Sequence, residues 1–159
     1  EAHARVDELG WADLPRTIVH GDWHPGNLLF RGDDVAALLD FDSTRSAPRV
    51  SEFANGSLQF AMRFGEPANV ALPESPHLPA VIAMQNGYDA GTFEVLEDHE
   101  RAMIPWLMIE ALIVEGIVPL AMQGRFGHVP APIFLQHMQR TSRWIRNNAD
   151  EIIDRMSRP

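Results

Sequence analysis

The run His20-Gly21-Asp22-Trp23-His24-Pro25-Gly26-Asn27-Leu28-Leu29-Phe30, with Leu39-Asp40-Phe41-Asp42 after it, decides how this chain is read. Thr17 to His20 is short and rich in β-branched residues, so it reads as a strand running into a polar loop, Gly21 to Asn27, where Pro25 and Gly26 oppose regular structure. A second strand, Leu28 to Phe30, a turn of Arg31-Gly32-Asp33-Asp34 and a third strand, Val35 to Phe41, have the form of a β-hairpin. Antiparallel strands bring the start of one beside the end of the other, so Asn27 and Asp40 are expected as neighbours. Their amide and carboxylate oxygens are hard donors of the kind magnesium prefers.

Outward from this stretch the chain turns helical. Apolar periodicity predicts helices over Val50 to Phe64, Leu78 to Ala90, Glu97 to Met122 with a disturbance at Gly116 and Pro119, and Pro132 to Asn147 running on towards Met156. The start of the chain, with Val6, Leu9, Trp11 and Leu14, also reads as amphipathic helix, and the proline-rich stretch Gly65 to Pro79 as a loop. The expected fold class is α+β: one domain over residues 1–159, mainly helical, with a small hairpin presenting one polar loop. Met103 to Met122 is nearly all apolar and about the length a bilayer needs, but Glu110 and Glu115 in its middle and Pro105 and Pro119 around it favour a core helix.

The formal charge of −9 and a pI near 5.1 argue against a nucleic-acid partner, since that grip comes from Lys and Arg on phosphates. A cationic or small neutral partner fits better. Absence of cysteine removes disulfides and thiolate metal sites and is read as a cytoplasmic protein; no secretory or transit segment opens the chain. The first residue is Glu1 rather than Met, which suggests a piece of a longer protein.

The separation of Asp22 and Asn27 equals that of the catalytic Asp and Asn in the kinase loop H-R-D-L-x-x-x-N, and Asp40-Phe41 returns where the kinase D-F-G would stand. His-Gly-Asp-x-His-x-x-Asn, followed by an apolar strand ending in Asp-Phe-Asp, resembles the signature of the aminoglycoside phosphotransferase and choline kinase family, closely from Thr17 to about Ala54. The resemblance implies the C-terminal lobe of a protein-kinase-like fold, ATP as phosphate donor, Mg2+, and transfer to a hydroxyl of a small molecule. It implies Asp22 as catalytic base, His20 as a loop-shaping residue of the catalytic group, and Asn27 and Asp40 as magnesium ligands. Asp42, His24 and Glu52 would support the loop or hold a second metal; Glu52 stands where the family usually has Asp. Gly21 replaces the Arg that many protein kinases use to meet a phosphorylated activation loop, and no A-P-E follows Asp40, so a small-molecule acceptor is favoured.

Two other readings use the same residues. His20, Asp22 and His24 alternate and could share one metal, as in a metal-dependent phosphoesterase, yet no second ligand segment follows downstream. A non-catalytic kinase-like binding module is the other, against which the intact acidic set speaks. Glu110 and Glu115, carboxylates on an apolar helix, either line an acceptor pocket or pair with Arg from another helix. A kinase also needs a lid and a Lys over the phosphates, and this sequence holds no Lys and no Gly-rich segment ahead of the loop. The nucleotide-binding N-terminal lobe is therefore expected outside residues 1–159, and the chain alone is expected to bind ATP poorly.

Overall fold

The computed structural model describes residues 1–62 and 72–157. Within them the chain is a mixed α+β unit, mostly helical, with three small two-stranded ladders. Helix α1 (Ala2–Glu8) leads through a 3-10 turn at Trp11–Asp13 into β1 (Arg16–Val19). The amphipathic start is thus shorter than its periodicity suggests, because Gly10, at φ 90°, ends it.

Strands β2 (Leu28–Arg31) and β3 (Asp34–Leu38) form the expected hairpin, with Leu28 opposite Leu38 and Arg31 opposite Asp34. Gly32 at φ 63° makes the turn. The third strand does not reach Phe41: Asp40 takes a left-handed backbone, φ 60°, and Phe41–Ser43 is a 3-10 turn. Strand β4 (Arg45–Pro48) then pairs antiparallel with β1, Thr17 opposite Ala47 and Val19 opposite Arg45, an element the sequence did not announce. Pro48 closes the strand, where its missing N–H costs no ladder bond, and opens the next helix.

Helix α2 (Arg49–Ala61) buries Val50, Phe53, Ala54, Ser57, Leu58 and Ala61, the stripe of a helix with one apolar face. Residues 63 and 64 of the expected helix, and 65–71 of the expected loop, lie outside the described residues. Helix α3 (Leu78–Gly91) follows. Helix α4 (Asp98–Gln123) is the axis of the core. Its N-terminus carries a capping box in which Glu97 and Glu100 exchange side-chain and main-chain bonds, and Gly124 at φ 68° ends it. Pro105 and Pro119 each remove one internal N–H without breaking it, because packing on both sides holds the helix. It is long and apolar enough to cross a membrane, but α1, α2, α5 and α6 pack around it and Met103, Ile104 and Met108 are fully buried.

A short hairpin, β5 (Arg125–Phe126) with β6 (Val129–Pro130), turns the chain into α5 (Ala131–Asn147). The last helix does not run on unbroken. It stops at Asn148, whose side-chain amide donates to the Trp144 carbonyl at 2.7 Å, and α6 (Ala149–Met156) starts afresh.

Candidate active site

Three elements meet at the loop after β1. Gly21 has φ 83°, and a Cβ there would run into the Ser43 carbonyl oxygen and the Arg45 guanidinium, so only glycine fits. Its N–H donates to Glu52 Oε2 at 2.9 Å, and its carbonyl accepts from Arg45 Nη1 at 3.2 Å. Arg45 also donates to the Ser43 carbonyl. The loop base is thereby tied to α2 on one side and to β4 on the other.

His20 spends both ring nitrogens on main chain. Nδ1 accepts from the Asp22 N–H at 3.3 Å, which fixes the proton on Nε2, and Nε2 donates to the Leu39 carbonyl at 2.8 Å. Phe41 lies against the ring, centroids 4.9 Å apart. Both ring nitrogens of His20 thus brace main chain on either side of the loop.

The Asp22 carboxylate is held on one oxygen. Asn27, 9% exposed, donates from Nδ2 to the Asp22 carbonyl at 2.8 Å and to Asp22 Oδ2 at 3.0 Å. His24 accepts the Gly26 N–H on Nδ1 at 3.0 Å, which caps the 3-10 turn Pro25–Asn27 and leaves the proton on Nε2, 3.6 Å from the same Oδ2. The other oxygen, Oδ1, has no hydrogen-bond partner among the described residues.

Both amide hydrogens of Asn27 point to Asp22, so its Oδ1 is turned away from them and available to a cation. The Leu39 N–H donates to the Asn27 carbonyl at 2.9 Å, which puts Asp40 one residue beyond the partner of Asn27. Asp40 is exposed and is the one non-glycine residue with positive φ among the described residues. That conformation costs about 1–2 kcal/mol and marks sites where geometry matters more than stability. An amide oxygen and a carboxylate are a fitting donor pair for Mg2+, which commonly takes one or two protein oxygens and draws the rest from phosphates and water. Asp42 stands exposed in the following turn.

Behind the loop lies a cavity of about 270 Å3 lined by His20, Trp23, Arg49, Glu52, Phe53 and Tyr88 among others. Glu52 Oε1 is buried beside it without a hydrogen-bond partner among the described residues. The two helix carboxylates part company. Glu110 faces α1, where His3 Nδ1 is 3.2 Å from its Oε1. Glu115 faces the loop: burial, and next the negative charge of Asp22, push its carboxyl above the ordinary value, with His24 and Arg45 opposing. It has no hydrogen bond or ion pair among the described residues.

Sequence reading overlooked Arg45 and the seat of Trp23. The indole packs on α2 so closely that a Cβ at Gly56 would meet it, and Phe60 lies 5.4 Å away, ring to ring. Gly56 inside a helical pattern was the available signal, since an interior helix glycine costs about 1 kcal/mol and usually marks a close approach. The metal-site alternative fares poorly on this geometry. Among the described residues no three His, Asp or Glu side chains converge on one point, and both nitrogens of His20 are spent.

The comparisons with known proteins are short but specific. A homoserine kinase of Zymomonas mobilis is 42% identical over 36 residues, 23% of this chain and 11% of that protein. A homoserine kinase of Methylocella silvestris is 42% identical over 41 residues, 25% of this chain and 13% of that protein. The family model of the phosphotransferase enzyme family matches residues 1–104, a span that takes in the loop, the hairpin, both capping carboxylates of α4 and all of α2. The chain belongs to the phosphotransferase enzyme family.

Proposed function

We propose that the intact protein moves the γ-phosphoryl group of ATP to a hydroxyl of a small molecule, with Asp22 as base. The observation that carries this reading is the asymmetric Asp22 carboxylate: Asn27 holds Oδ2, with His24 Nε2 3.6 Å from it, and Oδ1 has no hydrogen-bond partner among the described residues. A carboxylate so held can accept the proton of an attacking hydroxyl without swinging away, which is the chief protein chemistry that phosphoryl transfer needs. Asn27 Oδ1 and Asp40 would hold Mg2+, which when bound offsets charge on the transferring phosphoryl group. His20 and Glu52 keep the loop in place, and Asp42 lies next to the metal side. Family membership and the homoserine kinase matches support a kinase with a hydroxyl acceptor.

A nucleotide-gripping lobe outside residues 1–159 supplies the cationic contacts that a chain without Lys lacks. The expected setting is the cytoplasm, where ATP is abundant. The test is acceptor-dependent ADP release by the intact protein and its Asp22→Asn variant. The variant is expected to lose about 10³-fold or more in kcat while keeping its thermal midpoint. Unchanged release by Asp22→Asn would favour a binding module, and ATP consumption without any acceptor hydroxyl would favour a hydrolase.

A further inference from the structure

Two carboxylates must keep one separation if Asp22 is to take a proton beside a metal held by Asp40, yet they stand on different segments, one after β1 and the other after β3. One flank of that junction is stitched by His20, which donates to the Leu39 carbonyl at 2.8 Å, and by the Leu39 N–H, which donates to the Asn27 carbonyl at 2.9 Å. Both bonds end on Leu39, one residue before Asp40. Beyond it Asp40 takes its left-handed backbone at φ 60°, and Phe41–Ser43 is a single 3-10 turn closed by the Thr44 N–H on the Phe41 carbonyl at 3.0 Å.

Arg45 stitches the other flank. Its Nη1 carries two hydrogens and lies 3.2 Å from the Gly21 carbonyl, one residue before Asp22, and 3.2 Å from the carbonyl of Ser43, the last residue of the turn after Asp40. Among the described residues no other side chain bridges these two segments. Strand pairing sets this up: Arg45 opens β4 opposite Val19, the last residue of β1, so its side chain starts beside the point where the Asp22 loop begins. The glycine at position 21 completes it, because the guanidinium occupies the space that a Cβ there would need. The chain thus brings a guanidinium to the loop from β4 instead of carrying one on the loop itself, and directs it at main-chain carbonyls.

Arg45 is exposed, so these bonds compete with water and contribute little to global stability. Their consequence is geometric. One planar group fixes two carbonyls at once, and with them the segments that carry Asp22 and Asp40.

We infer that Arg45 is a positioning residue of the transfer reaction, locking the Asp22 loop to the turn after Asp40 so that the proton acceptor and the metal side move as one body. The inference rests on the phosphotransferase reading above and goes beyond it, since Arg45 touches neither acceptor nor phosphate in this account and acts only through the two segments.

The test follows ADP release by the intact protein as Mg2+ is varied, for wild type, Arg45→Lys and Arg45→Ala. Ethanolamine, choline, homoserine and glycerol are each tried as acceptor, and the one that the wild type uses is carried forward. Arg45→Ala is expected to lose about 10-fold or more in kcat and to require about 3- to 10-fold more Mg2+, with a thermal midpoint within about 2 °C of the wild type. Arg45→Lys, whose ammonium can donate to both carbonyls but has a shorter reach and no planar fork, is expected to fall between the two. Added guanidinium ion should restore part of the Arg45→Ala activity, which sodium at the same concentration should not. Wild-type kcat and Mg2+ requirement in Arg45→Ala overturn the inference and leave the kinase reading standing. A loss of kcat matched by a fall of about 4 °C or more in thermal midpoint also overturns it, since Arg45 would then act on the fold. No release by the wild type with any of the probes overturns both.

Discussion

Oδ1 and Oδ2 of Asp22 have different surroundings, and the difference comes from residues close in sequence. Asn27 and His24 can reach Oδ2 because Pro25–Asn27 folds into a single 3-10 turn that His24 itself caps. On the proposed reading His24 is a positioning residue. Replacing it by Ala is expected to lower kcat about 10-fold or more while leaving KM for ATP within about twofold, a split that loss of fold would not produce. Gly21 is the other local requirement. Gly21→Ala adds a left-handed backbone penalty and a collision with the Ser43 carbonyl, together about 2 kcal/mol or more. Thermal unfolding should read this as a fall of roughly 4–8 °C for a chain of this size.

At the scale of elements, the N-termini of α2 and α4 are locked by one ion pair. Arg49 donates from Nε and Nη2 to the two oxygens of Glu100 at 3.0 and 2.7 Å, and its remaining donors reach the Glu94 and Val95 carbonyls. Burial works to raise the Glu100 carboxyl, but the Arg49 hydrogen bond and the Glu97 N–H outweigh it and hold the group below its ordinary 4.5. The same hydrogen bond, less some loss to burial, raises the Arg49 guanidinium further above neutrality. Arg49→Ala leaves Glu100 buried and unpaired and is expected to cost roughly 3–5 kcal/mol in denaturant unfolding. The double replacement Arg49→Met, Glu100→Met should cost far less, since it leaves no orphan charge. Because the Glu100 pKa is lowered on folding, its contribution is full above pH 4.5 and is lost as pH falls through the folded value. The gap between wild type and the double variant should therefore narrow in acid.

The element scale also shows what the sequence could express. The hairpin and the long helices were legible because their apolar spacing and turn residues are local signals, as with Leu28 to Phe30 against Gly32. Strand β4 was not, because its pairing with β1 joins residues such as Thr17 and Ala47 that are distant along the chain. The break at Asn148 was hidden by apolar periodicity that continues across it, through Ile145, Ala149 and Ile152. Asp22, Asn27 and Asp40 stand out by spacing as candidates, but the unequal surroundings of the two Asp22 oxygens depend on which ring nitrogen His24 gives to Gly26, and no sequence states that. Glu110 and Glu115 looked like a pair in sequence, yet their spacing sets them about 140° apart around a helix. One therefore meets His3 and the other faces the loop.

On the scale of the whole molecule, α4 runs from the Arg49–Glu100 lock at one end to the loop-facing Glu115 near the other, and α2 carries both Glu52 under Gly21 and Gly56 under Trp23. The loop is held by the same helices that make the core. Nothing in residues 1–159 offers a Lys to nucleotide phosphates, and the isolated chain is expected to bind Mg-ATP no tighter than about millimolar by calorimetry. A micromolar constant would contradict a separate nucleotide-gripping lobe.

The most direct measurement of the central claim is ADP release by the intact protein as a function of Mg2+, for wild type, Asp22→Asn, Asn27→Ala and Asp40→Ala, with a hydroxyl acceptor that supports release by the wild type. The account predicts that Asp22→Asn loses kcat at an unchanged Mg2+ requirement, whereas Asn27→Ala and Asp40→Ala each shift the requirement upward by about 10-fold or more. An unshifted Mg2+ requirement in both of the latter, with activity retained, would contradict it.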